Sequence, residues 1–159
     1  MSKFILGLII ILALSVFPTS VTRAAMDYSK QALIETDFSG QDLHGVTFNL
    51  TNLLKANLSN TDLQGASLFR AKLQEASLRD ANLKGATLDS AILIKTDLTN
   101  ANLEDSFAFD AKFKDVKIEG ADFTNALMDD DTSISLCQIA SGTNPITGRE
   151  TKQTLNCND

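Results

Sequence analysis

The side chains able to do chemistry are few. One histidine, His44, stands without a second imidazole to complete a metal site or a triad, and Trp is absent. Three adjacent carboxylates, Asp129, Asp130 and Asp131, offer oxygen ligands. Consecutive residues point in different directions, however, and the alternation of a calcium loop is missing, so the run suits a helix N-terminus better than an ion. Cys137 and Cys157 are the only cysteines. Asn49-Leu50-Thr51 and Asn57-Leu58-Ser59 match a glycosylation acceptor, but both fall in a regular run that generates Asn-Leu-x by itself. No nucleophile, base and orienting group converge, so neither an enzyme, a metal centre nor a cofactor site is expected. Charge removes another class: 14 Lys and Arg against 20 Asp and Glu, a net of −6, disfavours unaided nucleic-acid binding.

The elements that would position these residues begin after a targeting segment. Lys3 precedes an uncharged apolar run from Phe4 to Phe17, Pro18 breaks it, and Thr22 and Ala24 supply small residues for cleavage after Ala24. Fourteen helical residues reach about 21 Å, short of a ~30 Å hydrocarbon core, so residues 1–24 read as a signal peptide rather than a membrane anchor. The exported remainder keeps 12 basic residues against 20 acidic ones, near −8, and has no further membrane-inserting stretch. At 159 residues, one domain with one modest core is expected.

That domain is repetitive. Stepping by five from Phe38 through Leu58, Leu78, Leu98 and Phe113 to Phe123 gives eighteen positions, of which seventeen are large and apolar; Ala108 is the exception. Two places before most of them stands Ala or another small residue, as in Ala56-Asn57-Leu58, Ala81-Asn82-Leu83 and Ala101-Asn102-Leu103. A step of five rotates 140° around a helix and switches faces along a strand, so neither element aligns the leucines. A short extended piece followed by a two-residue bend does, and Gly40, Gly45, Gly65, Gly85 and Gly120 all fall on the last bend position. Asp42, Asp62, Asn82, Asn102 and Asp122 then serve corner hydrogen bonds and ladders rather than a substrate.

Residues 36–127 resemble the pentapeptide-repeat family. The resemblance implies an all-β solenoid, a right-handed quadrilateral β-helix with four pentads per coil. Such a rod needs covered ends. Residues 25–35 are expected to form an N-terminal cap, with Tyr28 to Ile34 a short helix or a first half-coil. Residues 128–159 are expected to form a C-terminal cap: a helix over Ser133 to Ala140, capped from Asp129–Thr132, with Ile134, Cys137 and Ile139 as its apolar residues. The tail from Cys137 to Cys157 resembles that of exported thylakoid-lumen members of the family in chloroplasts and cyanobacteria. In an exported chain these cysteines are expected to pair, a link of about 3 kcal/mol that would clamp the cap to the last coil; a redox switch is the alternative.

Sorting the outward positions by side separates two surfaces. The sides built on Leu58-Leu78-Leu98 and Leu43-Leu63-Leu83-Leu103 hold nine acids against Arg79, Lys84 and Lys117, without a large apolar residue. The other two sides carry Leu50, Leu54, Phe69, Ile92, Ile94, Phe107 and Phe109 among Lys55, Arg70, Lys72, Lys95, Lys112 and Lys114. An apolar patch rimmed by cations reads as a protein-binding surface, unless Ala108 lets one flanking Phe turn inward. The expected function is a non-enzymatic interaction or scaffold module in the thylakoid lumen or periplasm, monomeric or weakly self-associating, with an unidentified protein partner. Two alternatives remain: a DNA-mimicking topoisomerase binder, which the resemblance raises and the signal peptide opposes, and a lumen protein switched through Cys137 and Cys157.

Overall fold

The computed structural model describes residues 26–157, so the expected signal peptide lies outside the described residues. Within them, each pentad is an extended segment closed by a bend whose last residue has positive φ, from Lys30 (61°) to Asn125 (55°). Gly40, Gly45, Gly65, Gly85 and Gly120 adopt it at 66–69°. Side-chain-bearing residues such as Leu50 (59°) and Arg70 (55°) adopt it too, at about 1–2 kcal/mol each. Side-chain acceptors support the bends: Asp37 takes the Ser39 N–H at 2.9 Å, Asn57 that of Ser59 at 3.1 Å and Asp122 that of Thr124 at 2.9 Å.

Residues twenty apart pair in parallel, which places four pentads in each coil and creates four ladders. Ladder one runs Asp27, Thr47, Ser67, Thr87 and Phe107 to Leu127; ladder two runs Ala32, Asn52, Lys72 and Ile92 to Lys112. Ladder three runs from Asp37 to Lys117, and ladder four from Asp42 to Asp122. Most rungs are single-residue bridges. Four lengthen into strands, β1 (Ile92–Ile94), β2 (Phe107–Ala108), β3 (Lys112–Lys114) and β4 (Leu127–Met128), with β1 on β3 and β2 on β4. At ~4.8 Å between strands, about five coils stand about 24 Å tall.

The core is the interior column. Leu53, Leu58, Leu63, Leu68, Leu73, Leu78, Leu83, Leu88, Leu93 and Leu98 are fully buried, with Ala66, Ala71, Ala86 and Ala91 beside them. Where the small position holds Thr, its hydroxyl finds a carbonyl: Thr51 Oγ1 donates to Tyr28 O at 2.7 Å and Thr96 Oγ1 to Leu73 O at 2.7 Å.

The two ends meet expectation differently. At the lower end, Asp27 and Ala32 pair with Thr47 and Asn52, so residues 26–35 form the expected first half-coil rather than the alternative short helix. Tyr28 and Leu33 continue the core column, and Tyr28 stacks on Phe48 at 5.2 Å and meets Phe38 edge-on at 5.8 Å. Aromatic rings thus close the lower end. At the upper end the helix α1 spans Asp130–Cys137, three residues earlier than expected. Extended Asp129 precedes it (φ −67°, ψ 145°). Its carboxylate makes no helix cap and instead accepts the Asp110 N–H of the last coil at 2.8 Å. This register buries Leu136, half-buries Cys137 and leaves Ile134 and Ile139 exposed. A short helix α2, Thr151–Thr154, follows a connection in which Thr143 pairs with Glu150.

Candidate interaction face and C-terminal clamp

Strand alternation decides which side chains leave the core. Ala108 points inward and is 1% exposed, so its neighbours Phe107 and Phe109 must point outward. Neither ring turns in, and both stay above 40% exposure. Phe69 and Leu50 join them as exposed residues, while Leu54, Ile92 and Ile94 are half-buried. The patch follows two bends. Leu50, Phe69 and Phe109 stand at the bend from ladder one to ladder two, Ile92 and Ile94 lie on β1 in ladder two, and Leu54 lies at its far bend. The Phe69 N–H is held by Asn49 Oδ1 at 3.2 Å and that of Phe109 by Asp89 Oδ1 at 2.9 Å, fixing the backbone that presents the rings.

Two further exposed residues, Ile34 and Leu127, extend the same surface at either end. Sequence reasoning missed them because it sorted outward positions only between Phe38 and Phe123; extending the sorting to the pentads of Leu33 and Met128 would have placed both outward. A shallow groove of about 520 Å³ runs beside Phe69 and Ile92.

The cations divide by ladder. Lys84 meets Glu104 at 3.0 Å, and Arg79 and Lys117 meet Asp97 at 3.3 and 3.8 Å. On the apolar side Lys55 reaches Glu35 at 3.8 Å, whereas Arg70, Lys72, Lys95, Lys112 and Lys114 make no ion pair among the described residues. His44 is exposed and its N–H goes to Asp42. Asp129 is used on the coil edge, and among the described residues no cluster of His, Cys, Asp or Glu is arranged to hold a metal.

Cys137 and Cys157 form a disulfide, their Cα atoms 5.5 Å apart. Both lie in the tail, so the bond closes the cap on itself, and other groups fasten it to the rod. The buried Asn144 amide donates to Asn100 O at 3.0 Å and Gly120 O at 2.9 Å, while its oxygen accepts from Ile146 and Thr147 N–H at 3.0 Å. Ser141 O takes the Gly120 N–H at 2.8 Å, and Thr154 Oγ1 takes that of Phe123 at 3.0 Å. These are last-coil donors that a further coil would otherwise satisfy.

Arg149 adds charge, reaching Glu104 at 2.6 Å and fully buried Asp122 at 2.8 Å. Burial pushes the Asp122 carboxyl up, but hydrogen bonds from Thr124 and Thr147 and the Arg149 charge outweigh it and hold the group below its ordinary value. Glu104 is lowered too, by hydrogen bonds from Arg149 and Lys84. No periodicity in the tail announced these partners.

Comparison with known proteins places this architecture. Residues 33–68 and 66–105 match the family described as Pentapeptide repeats, in eight copies. A crystal structure of a pentapeptide repeat protein from the Arabidopsis thaliana thylakoid lumen is 43% identical, with a TM-score of 0.80 over 81% of this chain and 90% of that one. The chain belongs to the pentapeptide-repeat family. Two Arabidopsis thaliana relatives share short stretches with it: thylakoid lumenal protein TL20.3 (51% identity over 41 residues) and thylakoid lumenal 15 kDa protein 1 (48% over 46 residues). These stretches cover 26% and 29% of this pentapeptide-repeat chain, but only 15% and 20% of the relatives' own lengths.

Proposed function

We propose that this pentapeptide-repeat protein is a non-enzymatic interaction module, exported to the thylakoid lumen or a periplasm and binding a protein partner through ladders one and two. The observation that carries the reading is the exposure of Phe69, Phe107 and Phe109 beside cations that make no ion pair among the described residues. Large apolar side chains held outward next to unpaired charge are what a partner surface needs and a monomer in water does not. The expected leader and the thylakoid-lumen relatives support the compartment. Among the described residues no helix is long and apolar enough to cross a membrane.

The DNA-mimic alternative draws less support. Its acidic sides are partly neutralised by the chain's own cations, since Asp97 holds Arg79 and Lys117, and Glu104 holds Lys84 and Arg149. The deciding experiment changes Phe69 and Ile94 together to Ser and compares cross-linked partner recovery with the unaltered protein under non-reducing conditions. Recovery should fall while the melting temperature barely moves. Unchanged recovery with an intact fold would turn attention to the acidic ladders, where inhibition of gyrase supercoiling tests the mimic directly.

A further inference from the structure

We infer that the groove on ladder two takes an extended acidic peptide with an aliphatic residue seated between two carboxylates. The inference rests on the interaction-module reading above and specifies the partner's chemistry. Ile92 lies in register between Lys72, one coil below, and Lys112, one coil above. At ~4.8 Å per coil, the two lysine backbones stand about 9.6 Å apart on either side of an aliphatic floor. Leu50 and Phe69 extend that floor and Arg70 lines the same groove.

The groove is electrostatically incomplete. Arg70, Lys72 and Lys112 form no ion pair among the described residues, and Asp110 is the single acid among its lining side chains. The lining is therefore positive in a chain whose net charge is −6. An anionic occupant is attracted there and repelled from the acidic ladders, which favours one register over others. On one face of an extended strand, side chains repeat at about 6.8 Å, so an acid-x-aliphatic-x-acid segment spans about 13.6 Å. The flexible lysine stems bridge the difference from 9.6 Å. A flat lipid surface would meet the projecting Phe69, Phe107 and Phe109 rings and leave the recess between the lysines unfilled.

The test is fluorescence anisotropy of a labelled Ser-Glu-Ser-Leu-Ser-Glu-Ser peptide titrated with the purified protein. Binding is expected to weaken roughly tenfold in the Lys72→Gln, Lys112→Gln double variant, and to weaken likewise when both peptide glutamates become Gln. Ile92→Ser should also weaken it, whereas Lys117→Gln on ladder three should stay within about twofold. Absence of binding at millimolar protein, or equal affinity for the double lysine variant, overturns the inference. So does lysine-dependent binding of phosphatidylglycerol vesicles without peptide binding, which would assign the groove to a membrane. If the peptide fails while the Phe69 and Ile94 double variant still loses its partner, only the peptide chemistry falls; if partner recovery is also unchanged, the face itself was misassigned.

Discussion

Replacing Asn144 by Ala should loosen the tail from the last coil while the coils beneath stay folded. Four hydrogen bonds of 2.9–3.0 Å are lost: two donated to Asn100 O and Gly120 O, and two accepted from Ile146 and Thr147. At ~0.5–1.5 kcal/mol net each they total about 2–6 kcal/mol, and water can replace some of them at the half-exposed Asn100 and Thr147, so about 2–4 kcal/mol is expected. Native-state hydrogen exchange reads this locally. The Gly120 and Phe123 amides donate to Ser141 O and Thr154 Oγ1 of the tail, so their exchange should rise roughly thirtyfold to nearly a thousandfold. The Leu78 and Leu83 amides, which donate to Asp97 and Asn102 within the rod, should keep their protection. Asn144→Asp should do no better than Ala, because its carboxylate would face two carbonyls. Unchanged protection at Gly120 and Phe123, or an equal loss at Leu78 and Leu83, would refute the view that this residue fastens a separable cap.

The remaining expectations concern the rod and the clamp. Leu78→Ala removes a fully buried side chain mid-column and should cost about 2–5 kcal/mol; a melting temperature within a degree or two of the original would contradict its inward placement. Gly65→Ala meets open space and should cost only the left-handed conformation, ~1–2 kcal/mol. Gly120→Ala should cost more, since its Cβ would collide with Asn100 Oδ1 and approach Thr143 O to 3.2 Å; equal denaturant midpoints for the two variants would argue against that tail contact. Cys157→Ser, or reduction, should cost about 3 kcal/mol and open the tail to protease before the central coils, and an identical digestion pattern with and without reductant would contradict this. Because the folded-state values of Asp122 and Glu104 are depressed, their stabilisation is present above the ordinary carboxylate values of 3.8 and 4.5 and is lost as pH falls below them. Tail protection should therefore drop on acidification below about pH 4.5, and Arg149→Gln should flatten that dependence in an acid titration followed by proteolysis.

Most of the rod was legible because one spacing fixes both what is buried and where the chain bends. Leu58, Leu78 and Leu98 recur every twenty residues, and the glycines at 40, 45, 65 and 85 mark the positive-φ corner. The outward residues followed from the same spacing, which is why Phe69, Phe107 and Phe109 were placed on the surface they occupy. The ends were harder to read. Tyr28 and Met128 obey the step of five but sit in pentads whose small position holds Met26 or whose bend runs into helix α1, so the motif fades before the ladders stop. In the tail, the decisive partners are separated by 24 to 45 residues and have no period: Asn144 with Gly120, Arg149 with Glu104. Helix α1 began early because Asp129 serves the coil edge, a demand that a capping pattern read along the chain does not contain.

The register of twenty gives each residue a compass bearing set by its number. Removing twenty consecutive residues from mid-rod shortens the column by one storey and leaves every later side chain facing as before. Removing five turns everything downstream by one side: Phe107 and Phe109 would swing away from Phe69, while the clamp, whose partners from Asn100 to Thr154 all lie downstream, would turn with them as one body. Length changes in whole storeys thus adjust how far the binding surface extends, and changes in single pentads re-aim it without disturbing the lid.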